Sequence, residues 1–391
     1  MRLDFVVPRY GLEVTGGAEY AARMLAERLV SSAGWQVEVI TTTAVDAMTW
    51  EHHYPAATVD INGVTVHRIR AEAGRDPGFH PYSGRLLTAA GEASMEEADR
   101  WIDLQGPLCP GVVEAATSSD AEVVAFYPYL YYPTVRGVPR LGPRSVLHAA
   151  AHDEAPIRLP VFPPVFAAAG GLVFHTFGER RLVQHLFGGA EKPQIVLGLG
   201  VEPRPGDAGA AQAVGVGDRP YLCCVGRVDE WKGAVALARA FAAYKDRHPG
   251  PLTLVYAGQV VESLPERADI VVAGPVDEDV KWGLLAGSLA LVSPSAYESF
   301  SLVVLEAWAA GVPVLVNRRC EATMEHCRRS GGGLAFGGAV ELEAALDRLT
   351  GDAPLRALLA GRGRRYVDEH FAWPVLVDRY CRFAQKVAAR A

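Results

Sequence analysis

The stretch LDFVVPRYGLEVTGGAEYAARMLAERLVSSAGWQVEVIT, residues 3–41, carries the clearest fold signal in the chain. The apolar run 3–7 predicts a strand, and the polar, glycine-containing segment 9–17 predicts a loop. Apolar residues then recur at helical spacing, at Ala18, Ala21, Ala22, Leu25 and Leu29. Residues 37–41 predict a second strand. A strand, a helix and a strand in this order indicate parallel strands joined by a crossover helix, the repeating unit of α/β folds.

The same alternation continues along the chain in two series of strands. The first series is expected to continue at 63–69, 122–126, 144–149, 171–175 and 193–197. The segment 202–219 is rich in Gly, Ala, Pro and charge, which is typical of a linker. The second series is expected at 221–225, 252–257, 269–273, 289–293 and 312–316. The pattern therefore predicts an α/β fold with two doubly wound parallel sheets, in domains 1–204 and 205–373.

The composition excludes several classes of protein. Half of the 391 residues are apolar, which argues against a disordered chain. The 38 basic and 45 acidic residues give a net charge of −7, so nucleic acid is not expected as a partner. The longest uncharged stretch, 159–178, is interrupted by proline and glycine, and Asp4 and Pro8 interrupt the first apolar run too early for a secretory signal. We therefore expect a cytoplasmic protein with at most peripheral membrane contact.

The six cysteines do not form a recognisable framework. Cys223 and Cys224 lie in an apolar run that predicts a buried strand, so we interpret them as core thiols. The spacing of Cys320, His326 and Cys327 matches none of the usual zinc patterns. We therefore expect no metal site.

The strongest local motif is AYESFSLVVLEAWAAGVPVLV, residues 296–316. Glu306 lies in a predicted helix that is apolar on nearly every face, where an ionised carboxylate is costly unless it is paired. Glu306 therefore either caps a neighbouring loop or accepts hydrogen bonds from ligand hydroxyls. The amides exposed at the start of this helix, which would form an anion site, belong to Phe300, Ser301 and Leu302.

A second motif, GRVDEWKG at 226–233, lies between a predicted strand and a predicted helix. Arg227 and Lys232 would stand at the carboxyl end of a parallel strand, the edge where α/β sheets bind ligands. A guanidinium and an ammonium beside a helix start suit a diphosphate. The alternative, a solvated basic loop, becomes weaker because the glutamate motif follows three predicted strands later.

Two further segments lie in the first domain. Gly16 and Gly17 at the start of the first helix favour close approach of a phosphate, although a plain turn is an equal alternative. This turn lacks the G-x-G-x-x-G of dinucleotide-dependent dehydrogenases. In HAAAHDEAP, we interpret His148 on the strand as a core residue, and His152 beyond its end as a residue that contacts substrate.

Aromatic and acidic clusters offer two other candidates. Tyrosines follow the strand 122–126 and would stack on an acceptor sugar, or else pack under a loop; these are Tyr127, Tyr129 and Tyr131. The triplet Asp277-Glu278-Asp279 could bind a metal-nucleotide, but capping of the helix that follows explains it better.

With GGAE at 16–19, GRVDEWKG at 226–233 and ESFSLVVLE at 298–306, the sequence resembles the family 4 glycosyltransferases of the GT-B fold. The resemblance spans nearly the whole chain. It implies two Rossmann-like domains that face each other across a cleft, the second binding a nucleotide sugar and the first mostly the acceptor. It also implies that the last helix, 374–391, rejoins the first domain, that anomeric configuration is retained, and that no metal or other cofactor is needed.

The resemblance also implies a role for each matching residue. Glu306 resembles the family's ribose-binding glutamate, and Arg227 with Lys232 resembles its diphosphate clamp. Glu298 resembles the glutamate beside the donor sugar, and His152 the histidine that contacts the sugar hydroxyls. The GGAE loop would lie over the phosphates. Two departures are the second histidine in HAAAHDE and the serine at 301, where the family most often has glycine.

The leading hypothesis is therefore a retaining glycosyltransferase. It would move a sugar from a nucleotide diphosphate to a glycan, lipid-linked or natural-product acceptor. Alternatives on the same two-domain plan are a nucleotide-sugar epimerase, a phosphorylase, and a non-catalytic protein that binds nucleotide sugars.

Overall fold

The computed structural model describes residues 1–14 and 16–391, so Thr15 in the expected loop 9–17 lies outside the described residues. Contacts divide the chain into two compact units. Unit 1 consists of Met1–Gly200 and Pro374–Ala391, and unit 2 consists of Val201–Trp373. The division after Gly200 falls slightly before the boundary expected after residue 204.

Unit 1 contains, within its described residues, an eight-stranded sheet. In chain order the strands are β1 (Arg2–Val6), β2 (Gln36–Thr42), β3 (Thr58–Ile61), β4 (Val64–Ile69), β5 (Val123–Phe126), β6 (Ser145–His148), β7 (Gly171–Phe174) and β8 (Gln194–Val196). Their order across the sheet is β3-β4-β2-β1-β5-β6-β7-β8, and the pairs are parallel except for β3 with β4. Buried apolar residues of β1 lie at the centre of the sheet, as expected for an inner parallel strand.

Helices connect these strands. They are α1 (Gly17–Ala33), α2 (Phe79–Leu86), α3 (Met95–Gln105), α4 (Pro110–Ser118), α5 (Tyr132–Leu141), α6 (Phe162–Ala168) and α7 (Phe177–Phe187), with short 3₁₀ helices at Leu87–Glu92, Gly142–Arg144 and Ala155–Arg158. The terminal helix α15 (Trp373–Ala388) packs on the unit 1 sheet, where the Tyr380 hydroxyl lies 3.0 Å from His148 Nε2.

Unit 2 contains a six-stranded sheet that is parallel throughout its described residues. The strands are β9 (Tyr221–Val225), β10 (Thr253–Ala257), β11 (Ile270–Gly274), β12 (Ala290–Ser293), β13 (Val314–Asn317) and β14 (Gly333–Phe336), in the order β11-β10-β9-β12-β13-β14. The helices are α8 (Ala210–Ala213), α9 (Ala234–Arg247), α10 (Glu278–Gly287), α11 (Leu302–Ala309), α12 (Glu321–Ser330), α13 (Ala339–Gly351) and α14 (Ala353–His370). Across residues 1–14 and 16–391, no helix is both long and apolar enough to cross a membrane.

The predicted fold class is confirmed. Each strand expected from the sequence is present, with ends shifted by at most two residues. Two strands were not expected. The outermost strand β3 is only partly buried and lacks a clear apolar pattern, and β14 follows a glycine run that favours a loop.

The interpretation of 202–219 as a linker is wrong. This segment belongs to unit 2, where it forms α8 and packs against α10. The amide of Asp207 donates to the carbonyl of Asp279 at 2.8 Å, and the backbone of Gly206 lies against Gly283. Glycines and alanines here permit close backbone packing, which composition alone does not distinguish from a flexible segment.

Candidate functional site

The two strongest sequence motifs meet in unit 2. GRVDEWKG follows β9, and the ESFS turn follows β12, its immediate neighbour in the sheet. The carboxyl ends of parallel strands share one edge of the sheet, which is where α/β folds bind ligands. The two motifs, far apart in the sequence, therefore form one site.

One contact joins the motifs directly. Lys232 Nζ lies 2.8 Å from Glu298 Oε1, in an ion pair whose side chains are 39% and 20% exposed. Ion pairs this exposed contribute at most about 1 kcal/mol to stability, so an anionic ligand could take the place of Glu298 at small cost. The predicted clamp lysine and the predicted sugar-side glutamate are thus partners.

Arg227 is held by a carboxylate that sequence reasoning missed. Its Nε pairs with Asp229 Oδ2, and Asp229 Oδ1 accepts a hydrogen bond from the Lys232 amide at 2.6 Å. Burial alone would raise the pKa of Asp229, but these hydrogen bonds outweigh that effect and lower it. Asp229 therefore fixes the loop and orients Arg227. The sequence did contain a signal for this role, because Asp229 lies between the two cations of the motif, Arg227 and Lys232.

Glu306 is buried on α11, with 8% of its surface exposed, and is paired with a residue from another helix. Lys281 Nζ on α10 lies 2.9 Å from Glu306 Oε1 and 3.0 Å from Glu278 Oε2. Burial raises the pKa of Glu306, and the charge of Lys281 opposes this shift. The paired carboxylate that the sequence required is present. Lys281 was missed because nothing in the sequence links it to Glu306.

These side chains line a cavity of about 300 Å³. Its charged lining residues are Arg227, Lys232, Lys281, Glu298 and Glu306. A cavity of this size is at the lower end of the range for small-molecule sites. Asp229 and Glu298 balance the two clamp cations, a compensation that the sequence analysis did not anticipate.

The start of α11 also borders this cavity. Ser301 and Leu302 line it, and Ser301 has φ 69°, a left-handed conformation in which glycine is favoured. That conformation explains why glycine would be suited to position 301. Helix-start amides at this place can face an anion.

The side chain of Phe300, by contrast, belongs to the core of unit 2, so only its backbone amide stays a candidate for the anion site. Its ring is buried, packing edge-on against His326 at 4.8 Å and Phe371 at 5.5 Å. His326 Nε2 donates to the Phe300 carbonyl at 3.1 Å, and Nδ1 lies 3.2 Å from the Tyr366 hydroxyl. The buried His326 therefore holds the ESFS turn in place through the backbone of Phe300.

In unit 1, the predicted GGAE loop forms the amino end of α1. Gly16 has φ 145°, and a Cβ at this position would collide with Glu19. Glu19 is itself buried and pairs with Arg9, whose Nη1 also donates to the Val45 carbonyl at 2.8 Å. The glycine is thus required by an ion pair that the sequence did not reveal. Gly17 is exposed at the helix start.

The two histidines have different environments, as predicted. His148 is 2% exposed and contacts Tyr380, and burial lowers its pKa to about 3. The His152 side chain is 48% exposed and lies 3.2 Å from Glu154. The hydrogen bond with Glu154 raises the pKa of His152. His152 is therefore the histidine available to a ligand.

The tyrosine prediction needs correction. Tyr127 and Tyr129 are each 1% exposed, so neither ring can stack on an acceptor. Tyr129 donates to Glu154 at 2.7 Å, and Tyr127 hydrogen-bonds to a buried histidine. Tyr131 is partly buried and packs edge-on against Trp50 at 5.1 Å. The packing interpretation holds for Tyr127 and Tyr129, which line the core where β5 ends.

The acidic triplet caps a helix, as predicted. Asp277 is the N-cap of α10, and its Oδ1 accepts the Val280 amide at 2.8 Å. Glu278 pairs with Lys281. These contacts direct two of the three carboxylates to their own helix.

Comparison with known proteins adds a functional class. Residues 219–352 match the family model described as Glycosyl transferases group 1. An uncharacterized glycosyltransferase of Methanocaldococcus jannaschii is 24% identical over 95% of both chains. A D-inositol 3-phosphate glycosyltransferase of Acidothermus cellulolyticus is 29% identical over 78% of this chain and 70% of that protein.

Solved structures match the whole fold. The sucrose-phosphate synthase of Thermosynechococcus elongatus has a TM-score of 0.68 at 19% identity and covers both chains fully. The Anabaena protein HepE, in complex with UDP and glucose, has a TM-score of 0.69 at 16% identity, covering 99% of this chain and 100% of that chain. These likenesses concern the fold alone. Taken together, the family match, the relatives and the fold support a glycosyltransferase of the GT-B type.

Proposed function

We propose that this protein is a retaining, family 4 glycosyltransferase that moves a sugar from a nucleotide diphosphate to a hydroxyl of a glycan, lipid-linked or natural-product acceptor. The observation that carries this proposal is the unit 2 cavity. It places Arg227, Lys232, Glu298 and Glu306 beside the start of α11. The relatives named as glycosyltransferases and the neighbour solved with UDP and glucose support it.

The diphosphate would bind between the cations and the helix start. Departure of the nucleotide develops negative charge on the β-phosphate, which Arg227, Lys232 and the amides of Ser301 and Leu302 would stabilise. Lys232 would exchange Glu298 for phosphate, leaving Glu298 to accept hydrogen bonds from the donor sugar. This electrostatic stabilisation would take the place of a metal ion.

The ribose would bind at Glu306. Lys281 occupies Oε1 of this carboxylate, so Oε2 would accept the ribose hydroxyls. Lys281 would keep the buried carboxylate ionised, and hydrogen bonds to a charged acceptor are worth about 1.5–3 kcal/mol.

The sugar would be transferred by front-face attack. No side chain is assigned as a nucleophile; the departing phosphate would take the proton of the acceptor hydroxyl. His152 would contact the donor sugar hydroxyls, and Gly16 and Gly17 would approach the phosphates.

The proposal is tested in two steps. A thermal-shift screen of UDP, GDP, ADP, dTDP and their sugars identifies the donor, because a ligand at 100 times its Kd stabilises the folded state by about 2.7 kcal/mol. The donor is then incubated with an acceptor panel that includes inositol phosphates, and the product is analysed by proton NMR. Retention of anomeric configuration is expected. An inverted product would refute the retaining mechanism, and the absence of any nucleotide-dependent shift would refute the donor class.

A further inference from the structure

A buried carboxylate lies beneath the His152 segment in unit 1. Glu179, in the first turn of α7, is 5% exposed. Its Oε1 accepts a hydrogen bond from the Ala151 amide at 2.8 Å, and its Oε2 accepts one from the His175 amide at 2.6 Å. Both oxygens of one carboxylate are thus used by backbone donors.

These donors belong to two neighbouring strands. Ala151 follows β6 and His175 follows β7, which pair in parallel with His148 opposite Val173. Glu179 therefore ties together the carboxyl ends of two strands. Its own amide donates to Thr176 Oγ1 at 3.0 Å, which fixes the helix start that carries it.

The segment held in this way is strained. Ala150 has φ 50°, a left-handed conformation that is unfavourable for a residue with a Cβ. Such a conformation is maintained by contacts from the surrounding structure. The Ala151 amide bound by Glu179 is the next peptide group, and His152 follows directly.

We infer that Glu179 is a positioning residue: it holds the 150–152 segment in its strained conformation and so fixes the orientation of His152, the residue proposed to contact the donor sugar. This inference rests on the proposed function, in which His152 contacts that sugar. The His152 side chain also has a direct contact, because its Nε2 lies 3.2 Å from Glu154 Oε2. The Tyr129 hydroxyl donates a hydrogen bond to the other oxygen of Glu154.

The charge state of Glu179 matters, because protonation turns one of its two acceptor oxygens into a hydroxyl, which is a donor and a weaker acceptor. Burial raises the pKa of Glu179 to about 7, although hydrogen bonds from His175 and Ala151 oppose this. The titratable groups that face it are His152 and His175, with Tyr127 nearby. Burial lowers the pKa of His175 to about 4, so His175 is neutral in this range.

Activity and stability should then respond to pH in opposite directions. The folded-state pKa of Glu179 exceeds the ordinary value of 4.5, so its stabilising contribution is present at low pH and is lost as pH rises to about 7 and above. The turnover number should instead rise over this range as both acceptors become available. A purely structural role would make the two quantities change together.

The kinetic test is Glu179→Gln. The amide keeps the shape but turns an NH₂ group toward one of the two backbone donors, so we expect kcat to fall at least about tenfold while the Kd for nucleotide is unchanged. The rise of kcat that follows ionisation of Glu179 should disappear, while the titration of His152, whose pKa is raised by its hydrogen bond with Glu154, should remain. In the His152→Ala background the same change should have little further effect. Glu191→Gln, at an exposed glutamate of the same unit, is the matched control and should leave kcat unchanged.

If Glu179→Gln lowered kcat by the same factor in the wild-type protein and in the His152→Ala background, the inference would be overturned. A test on the unaltered protein covers the case in which Glu179→Gln does not fold. In ¹H–¹⁵N NMR spectra, the amide protons of Ala151 and His175 should shift with one common midpoint near pH 7. Different midpoints, or no titration, would overturn the inference. Failure of the proposed function would appear separately, as a wild-type protein that binds no nucleotide sugar although both amides titrate together.

Discussion

In unit 2 two candidate residues from different motifs contact each other, whereas in unit 1 the candidate His152 lies in a segment that is fixed by Glu179, a residue outside every motif. Lys232 pairs with Glu298, and both belong to the quoted motifs. His152 depends on Glu154 and on a segment fixed by Glu179. Sequence motifs therefore identify a site when their own residues contact one another. They do not identify the residues elsewhere in the chain that hold a motif residue in place.

The largest expected effect comes from removing a clamp cation in unit 2. Arg227→Ala or Lys232→Ala should lower kcat by at least about a hundredfold, because each cation stabilises the departing diphosphate by on the order of 3 kcal/mol. Arg348→Ala, at an exposed arginine whose Nη2 lies 3.7 Å from Asp352 Oδ2, is the control. Steady-state kinetics of sugar transfer measure the effect. Wild-type turnover in both clamp variants would remove the basis for a diphosphate site in unit 2.

The next prediction compares the two carboxylates that pair with Lys281, Glu306 and Glu278. Glu306→Gln should weaken nucleotide binding by about 1.5–3 kcal/mol, because it removes the charge that accepts the ribose hydrogen bonds. Glu278→Gln alters the other, half-exposed partner of Lys281 and should change binding little. Isothermal titration with the nucleotide measures both. Normal affinity in a destabilised Glu306→Gln protein would make Glu306 a structural residue.

A smaller effect concerns strain at the start of α11. Ser301→Gly should raise the free energy of unfolding by about 1 kcal/mol or less, because relief of the left-handed conformation slightly exceeds the added flexibility of the unfolded chain. Ser288→Gly, at a serine with φ −81° that ends α10, should lower stability instead. Urea denaturation distinguishes the two. A loss of stability in both variants would show that the turn at 301 is not strained.

The smallest expected effect is that of chelation. If arginine, lysine and helix-start amides bind the diphosphate, saturating EDTA should leave the rate of sugar transfer almost unchanged. Asp277 supports this expectation, since its carboxylate caps α10. A rate that falls with EDTA and returns with magnesium or manganese would contradict the metal-independent account.

Much of the fold could be predicted because apolar periodicity reports burial directly. The inner strands of both sheets were identified to within two residues, and the pattern also separated the core residue His148 from the exposed His152. The edge strand β3 was missed because its pattern is weak. The segment 202–219 was misjudged because small residues suit both linkers and close packing.

The candidate site was less predictable where the position of a side chain depends on contacts with residues that are distant in the sequence. Tyr127 and Tyr129 occupy the carboxyl edge of the sheet, as a ligand-binding residue would, yet their side chains turn into the core. Lys281 and Glu179 act on residues 25 and 28 positions away, across separate elements. Spacing within a motif carries no information about such contacts, which arise only when the chain folds.

The proposed function depends most on binding of the nucleotide diphosphate between the two motifs of unit 2. Hydrogen–deuterium exchange, with and without the nucleoside diphosphate that gives the largest thermal shift, tests this most directly. Slower exchange is expected in 226–233 and 294–306, including the amides of Ser301 and Leu302. Protection confined to other segments, with these two unchanged, would contradict it.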